Sequence, residues 1–202
     1  MSQLFVISAP SGAGKTSLVR ALLERRANLV VSVSHTTRQP RAHELEGRDY
    51  HFVPVARFQE LAAAGAFLEH ARVFDNYYGT GARQVDERLA AGSDVILEID
   101  WQGARQVRAA MPACVSIFVL PPSREALQQR LRTRRTDSPE VIERRLRDAV
   151  ADMEHYREFD FVVVNDQFEQ AVRELESILD GHGEALAADR PTLAPVLQRL
   201  LR

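Results

Sequence analysis

The amino-acid order predicts an α/β fold, a parallel sheet flanked by helices with a small subdomain inserted into it. Short apolar, β-branched runs alternate with helix-period segments along most of the 202 residues, as in successive βαβ units. The first run, Leu4 to Ile7, enters the turn Ala9-Pro10-Ser11-Gly12-Ala13-Gly14-Lys15-Thr16, and a helical pattern (Leu18, Val19, Leu22, Leu23) leaves it. Strand, glycine-rich turn and helix together form the context that a phosphate-binding loop requires.

In such a loop the backbone N–H groups wrap a phosphate chain and the helix start adds positive potential. Lys15 would neutralise charge, and the Thr16 hydroxyl suits Mg²⁺. The usual pattern begins with glycine, where this chain has Ala9, a change that backbone at negative φ tolerates. Lys15 is the sole lysine, and the other 25 basic residues are arginines. A compact ammonium on a flexible stem enters a tight cradle as a point charge, whereas guanidinium is a broad planar fork.

At 45% hydrophobic the chain can bury one substantial core. A net charge of −2 provides no global field for a nucleic-acid polymer or an acidic membrane. The lone Cys114 precludes an internal disulfide, and no Cys/His spacing suggests zinc. The first residues carry no basic segment followed by a long apolar core, so the expected compartment is the cytoplasm, without membrane attachment.

After the first helix, Leu29 to Val33 reads as a buried strand, and Ser34 to Arg41, polar and proline-containing, as a loop. Strand composition at Tyr50 to Val53, a helix at Arg57 to Ala64 and an aromatic, strand-like stretch from Phe67 to Tyr78 make 34–81 an inserted subdomain with a small mixed or antiparallel sheet. Val85 to Ala91 is helical. Asp94 to Asp100 reads as a strand whose alternation puts Glu98 and Asp100 on one face, for Mg²⁺ or substrate. A helix from Gln102 to Ala110, a strand from Val115 to Leu120 stopped by Pro121-Pro122, and a helix from Arg124 to Arg132 follow. Beyond a loop at 133–139, Ser138 as N-cap and Pro139 at the first position open a long helix to about Tyr156. Phe161 to Val164 is a last strand, Phe168 to Leu179 a closing helix, and an amphipathic tail follows, either an assembly helix or packed on the core.

Seven arginines fall between Arg130 and Arg147, most of them suited to a solvated face paired with Glu140, Glu143 and Asp148. Phosphoryl transfer needs charge neutralised around the moving group, and two or three of the seven are expected to touch phosphate. No nucleophile elbow or histidine ligand spacing occurs, which fits an acceptor that is itself an ionised phosphate and needs no base. Asp100-Trp101-Gln102-Gly103 matches a GTPase switch pattern, yet the accompanying N-K-x-D box cannot exist with Lys15 as the only lysine.

One ordered set of motifs resembles bacterial guanylate kinase. It comprises Ser8 to Thr16, Ser32 to Arg41, Phe67-Leu68-Glu69-His70, Asn76-Tyr77-Tyr78-Gly79-Thr80, Asp100-Trp101-Gln102-Gly103-Ala104 and Val164-Asn165-Asp166. The likeness runs from about Leu4 to Leu179. It implies Mg²⁺-dependent transfer from ATP to GMP or dGMP on a three-layer P-loop core (1–33, 82–124 and 146–184), with a GMP-binding subdomain (34–81), a lid (125–145) and a helical tail (185–202). By that likeness Ala9 to Thr16 and Asn165 bind ATP, Thr16 and Glu98 hold the metal, and Arg38, Arg41, Tyr50 and Tyr78 hold the GMP phosphate. Ser34, Glu69, Thr80 and Asp100 read guanine. Lys15, Arg38, Arg130, Arg134 and Arg145 stabilise the transferring group. Glu98 replaces an aspartate usual in relatives, and Arg135 a lid glycine. A non-catalytic interaction module of the same shape and a kinase of ribose phosphates are the alternatives, and a homo-oligomer is compatible with the tail. Lys15→Met is expected to keep the fold and lose several kcal/mol of transition-state stabilisation, read as turnover in an ADP-release assay.

Overall fold

The structure, a computed structural model, describes residues 2–42, 44–73, 75–133 and 139–201. Contacts divide the chain into two compact units, Met1–Val6 with Ala27–Val115 and Ile7–Arg26 with Ser116–Arg202. The boundary passes through the first strand, β1 (Leu4–Ser8), whose LFVIS sequence is buried throughout.

In the first unit β2 (Leu29–Val31) runs parallel to a later strand, Asp94–Glu98, with Leu29 opposite Asp94 and Val31 opposite Ile96. The Asp94 carboxylate accepts from the Gln3 amide at 2.8 Å, tying that strand to the start of β1. The inserted segment builds its own sheet from β3 (His35–Thr36), β4 (His51–Phe52), β5 (Phe67–Val73) and β6 (Asn76–Gly81), in the order β4-β3-β6-β5. β6 is antiparallel to both neighbours, while β3 and β4 run parallel. Helix α2 (Val55–Ala63) puts Phe58 beneath this sheet, its ring 4.7 Å from Phe67 and 5.5 Å from Tyr77. Helix α3 (Ala82–Ala90) then leads to the Asp94–Glu98 strand, β7, and to α4 (Trp101–Ala110).

Three local expectations change here. The Ser34–Arg41 loop contains β3, because Thr36 is fully buried and its hydroxyl donates to the Tyr77 carbonyl at 3.1 Å, a long-range bond that local polarity does not reveal. The stretch from Phe67 to Tyr78 is a hairpin, doubling back between Val73 and Asn76, where Asp75-Asn76 supplies turn-forming side chains. Asp100 is no strand residue. It caps α4, its carboxylate accepting from the Gly103 amide at 2.9 Å.

The second unit carries the end of β1, helix α1 (Lys15–Arg25), β8 (Val115–Leu120), α5 (Arg124–Thr133) and α6 (Pro139–Met153). β9 (Phe161–Val164), α7 (Phe168–Leu179) and α8 (Ala194–Leu201) complete it. β8 and β9 are parallel, with Leu120 opposite Val164. The α-helical part of α6 stops at Met153, short of Tyr156, and a tighter 3₁₀ turn continues to Glu158. Arg25 on α1 pairs with Glu169 at 2.7 Å and Glu176 at 3.5 Å, both on α7. The tail packs on its own unit: Leu193 and Leu200 are buried, and the Leu200 carbonyl accepts from Arg124 at 2.6 Å. No helix among the described residues is long and apolar enough to cross a membrane.

Phe58→Ala is expected to cost about 3–5 kcal/mol, because the emptied space lies under three aromatic neighbours that cannot all collapse into it. Denaturant unfolding would register the loss, with faster amide exchange across β3, β5 and β6.

Candidate functional site

The glycine-rich turn occupies 9–14, between the end of β1 and the start of α1. Its amides are pinned locally, Ala13 N–H donating to the Pro10 carbonyl at 3.1 Å. Gly12 and Gly14 have φ of +90° and +96°, where a side chain is strained. Each also lies close against a neighbour. A Cβ on Gly12 would come within 2.9 Å of Leu127 on α5, and one on Gly14 would overlap the Asn165 amide. Lys15 and Thr16 are the first residues of α1, whose own first turn carries no acidic side chain and whose start adds positive potential.

Arg130 and Asn165 both turn toward the loop's backbone. The Asn165 amide donates to the Ala13 carbonyl at 2.7 Å, and Arg130 donates to the same oxygen at 3.2 Å and to the Asn165 carbonyl at 2.9 Å. A cavity of 490 Å³ opens beside them, lined by Gly12, Gly14, Ser17, Arg130, Asn165 and the exposed ring of Phe168, a volume suited to a nucleoside. Phe168 stands in the sequence only as the first residue of the closing helix, and nothing local marks its ring as a wall of this cavity. Arg145 lies half-buried on α6, and Arg134 falls outside the described residues.

The first unit gathers the other set. Glu69 on β5 is 3% exposed, and its carboxylate accepts from the Thr80 hydroxyl at 2.6 Å, which lies 3.4 Å from the Ser34 hydroxyl. A Cβ on Gly103 would overlap the other Glu69 oxygen, so the first turn of α4 approaches this carboxylate as closely as backbone allows. Gln106 fixes that approach, accepting from the His70 amide at 3.1 Å and donating to the His70 carbonyl at 2.8 Å. Buried carboxylates are costly unless paired, and a helix N-terminus favours them.

Arg38 and Arg41 converge on Glu44. Arg38 donates to its carboxylate at 2.8 Å, the Arg41 amide to the second oxygen at 2.8 Å, and the Arg41 guanidinium stands at 3.7 Å. Burial pushes the Glu44 carboxyl up, but these hydrogen bonds overcome it and leave the group below its ordinary value. The Arg38 guanidinium also lies 5.5 Å from the Tyr50 ring centroid, and Tyr50 stands 6.0 Å from Tyr78. Tyr50 is pushed up to about 12 by burial and by the Glu98 and Tyr78 charges, so its hydroxyl stays a donor. Glu98 ends β7, half-buried. Glu44 and Gln106 carry no signal in the sequence, for Glu44 acts by holding Arg38 and Arg41, and Gln106 by holding the His70 backbone next to Glu69.

A guanylate kinase family model matches residues 1–182. The chain belongs to the guanylate kinase family. Guanylate kinases of Methylococcus capsulatus and Alkalilimnicola ehrlichii are 56% and 54% identical to it over 198 residues, covering 98% of this chain and 97% and 98% of theirs. The guanylate kinase of Chromohalobacter salexigens is 57% identical over 98% of this chain and 92% of its own. The crystal structure of the guanylate kinase from Anaplasma phagocytophilum superposes with a TM-score of 0.75 at 33% identity, over 98% of this chain and 94% of that one.

Among the described residues of this guanylate kinase fold, one buried side-chain nitrogen has no hydrogen-bond partner. His35, opposite His51 in the β3–β4 pair with ring centroids 4.8 Å apart, keeps a buried Nδ1 without a hydrogen bond. Burial lowers its pKa below 6.5, the His51 charge lowers it further, and Glu46 only partly opposes them. The unfolded chain therefore binds the proton first, so stability is unaffected by this group above about pH 6.5 and is lost progressively as pH falls below it through the lower value His35 has in the folded chain. Thermal melts from pH 8 to 5 should show a steeper acid loss in the wild type than in His35→Asn.

Proposed function

We propose that the chain transfers the γ-phosphoryl group of ATP to a phosphate oxygen of GMP or dGMP, giving ADP and GDP or dGDP. The observation that carries this reading is a buried carboxylate, Glu69, held by Thr80 beside Ser34 and the first turn of α4. Guanine offers N1–H and N2–H₂ donors to such an acceptor. Adenine lacks the N1 donor and would leave the acid unpaired, a mismatch worth about 10⁴-fold in a closed site.

The roles divide as follows. Main-chain amides of 9–14 and the Lys15 ammonium receive the triphosphate. Arg38 and Arg41, braced by Glu44, receive the GMP phosphate together with the hydroxyls of Tyr50 and Tyr78. Ser34, Glu69, Thr80 and Asp100 read the base. Arg130, Arg134 and Arg145 act with Lys15 on the transferring group, and 34–81 and 125–145 serve as the GMP-binding subdomain and the lid of the core. The acceptor phosphate is already largely ionised near neutral pH, so no side chain need abstract a proton. Mg²⁺ is the cofactor, supplying neutralisation of phosphate charge. The Thr16 hydroxyl and the Glu98 carboxylate are hard oxygen donors of the kind that suits it, and Glu98 reaches one methylene further than an aspartate would. The cytoplasm, where ATP and GMP are available, is the compartment this reaction requires.

An ADP-release assay with ATP against GMP, dGMP, AMP, CMP, UMP and ribose phosphates tests the assignment. Turnover confined to the guanine nucleotides is expected, silence with every acceptor would mean an interaction module, and response to the sugars alone a ribose kinase. Glu69→Gln should narrow the preference for GMP over AMP by about 10²-fold or more, and unchanged discrimination would remove Glu69 from base recognition.

A further inference from the structure

We propose that Asn165 is a positioning residue for the phosphate loop, its side-chain amide, seconded by Arg130, holding the Ala13 carbonyl turned away from the triphosphate. A cradle made of main-chain amides has to dispose of its carbonyls, because an oxygen turned inward would set partial negative charge against phosphate. The Ala13 oxygen is disposed of by two donors, the Asn165 amide at 2.7 Å and the Arg130 guanidinium at 3.2 Å, which together occupy both of its lone pairs. An acceptor here requires that the amide nitrogen rather than its oxygen face the loop, which fixes the side chain's orientation.

Asn165 is itself immobilised. It is 4% exposed, its N–H donates to the Leu120 carbonyl at 2.8 Å, and its carbonyl accepts from Arg130 at 2.9 Å, so the strut stands on β8 and α5. The Gly14 position completes the fit, since any Cβ there would occupy the place of the Asn165 amide. Gly14 is thus required for close approach as well as for its φ of +96°. One N–H of the Asn165 amide is committed to the loop, and the contribution expected of it to ATP is through the phosphates. This inference rests on reading 9–16 as the triphosphate site.

The test is calorimetric binding of inorganic tripolyphosphate with Mg²⁺, of ATP and of GMP to the full chain, alongside donor choice among nucleoside triphosphates in the kinase assay. Asn165→Leu, which preserves shape and removes the donor, should weaken tripolyphosphate and ATP by the same factor, about tenfold, with GMP binding and donor preference unchanged. Should the leucine variant fail to fold, Asn165→Ser adds no bulk and is expected to behave alike. Loss of ATP binding with tripolyphosphate unaffected, or altered donor preference, would make Asn165 a base reader and overturn the proposal, as would undiminished binding of both ligands. A wild-type chain that ignores tripolyphosphate would remove the loop reading itself, and the strut with it.

Discussion

A loop that presents amides to an anion must be rigid before the anion arrives, since the ligand cannot also supply the ordering of the backbone. In this chain rigidity comes from contact rather than from sequence-local bonds alone. Gly12 is pressed against Leu127 and Leu131, and Gly14 against Asn165. These glycines serve twice, adopting a left-handed conformation and letting α5 and the end of β9 close onto the turn. The parallel pairing of β8 and β9 therefore has a consequence for chemistry. It delivers Asn165, one residue beyond β9, to the loop with little freedom to move.

The first unit solves the opposite electrostatic problem, keeping carboxylates buried without losing their ability to accept. Glu69 receives one hydroxyl donor and lies against the first turn of α4, whose amides also take the Asp100 cap. A single helix N-terminus thus faces two carboxylates, and its positive potential offsets part of their desolvation. Glu44 works in the reverse sense. It gives two arginines a fixed counter-charge while leaving guanidinium donors over for phosphate. At Arg38 and Arg41 the groups that would touch substrate are held by one that does not.

That distinction governs what could be read from the amino-acid order. β8 and β9 are legible to the residue because each is a short, mostly apolar run ended by a polar or proline residue, and α7 because its buried residues, Ala171, Val172, Leu175, Ile178 and Leu179, recur at helical spacing. β3 is not, for its two residues become a strand only through pairing with β4 and β6. Asp100 looks like a strand end and is a helix cap, since the same carboxylate suits both and only the position of Gly103 chooses between them. By composition Arg130 is one of seven similar arginines, the family resemblance assigns it to the transferring group, and only the fold shows it as a bracket on backbone oxygens. Motifs reveal residues whose chemistry is tied to spacing along the chain. Supports such as Glu44 and Gln106 have no such spacing, because their partners are set by folding.

The division of labour between one lysine and 25 arginines follows from the same geometry. Several of the arginines reach two separate acceptors with one guanidinium. Arg25 spans Glu169 and Glu176, Arg38 spans Glu44 and the Gln39 carbonyl, and Arg130 spans two carbonyls, each with two nitrogens, while Arg190 donates from one nitrogen to the carbonyls of Leu186 and Ala187. A planar group of fixed shape can brace two elements at once, which an ammonium on a flexible stem does less well. The same breadth makes guanidinium a poor occupant of a six-residue turn already closed on both sides by leucine and asparagine. Lysine is retained where a narrow point charge is needed, and the arginines hold the framework around it.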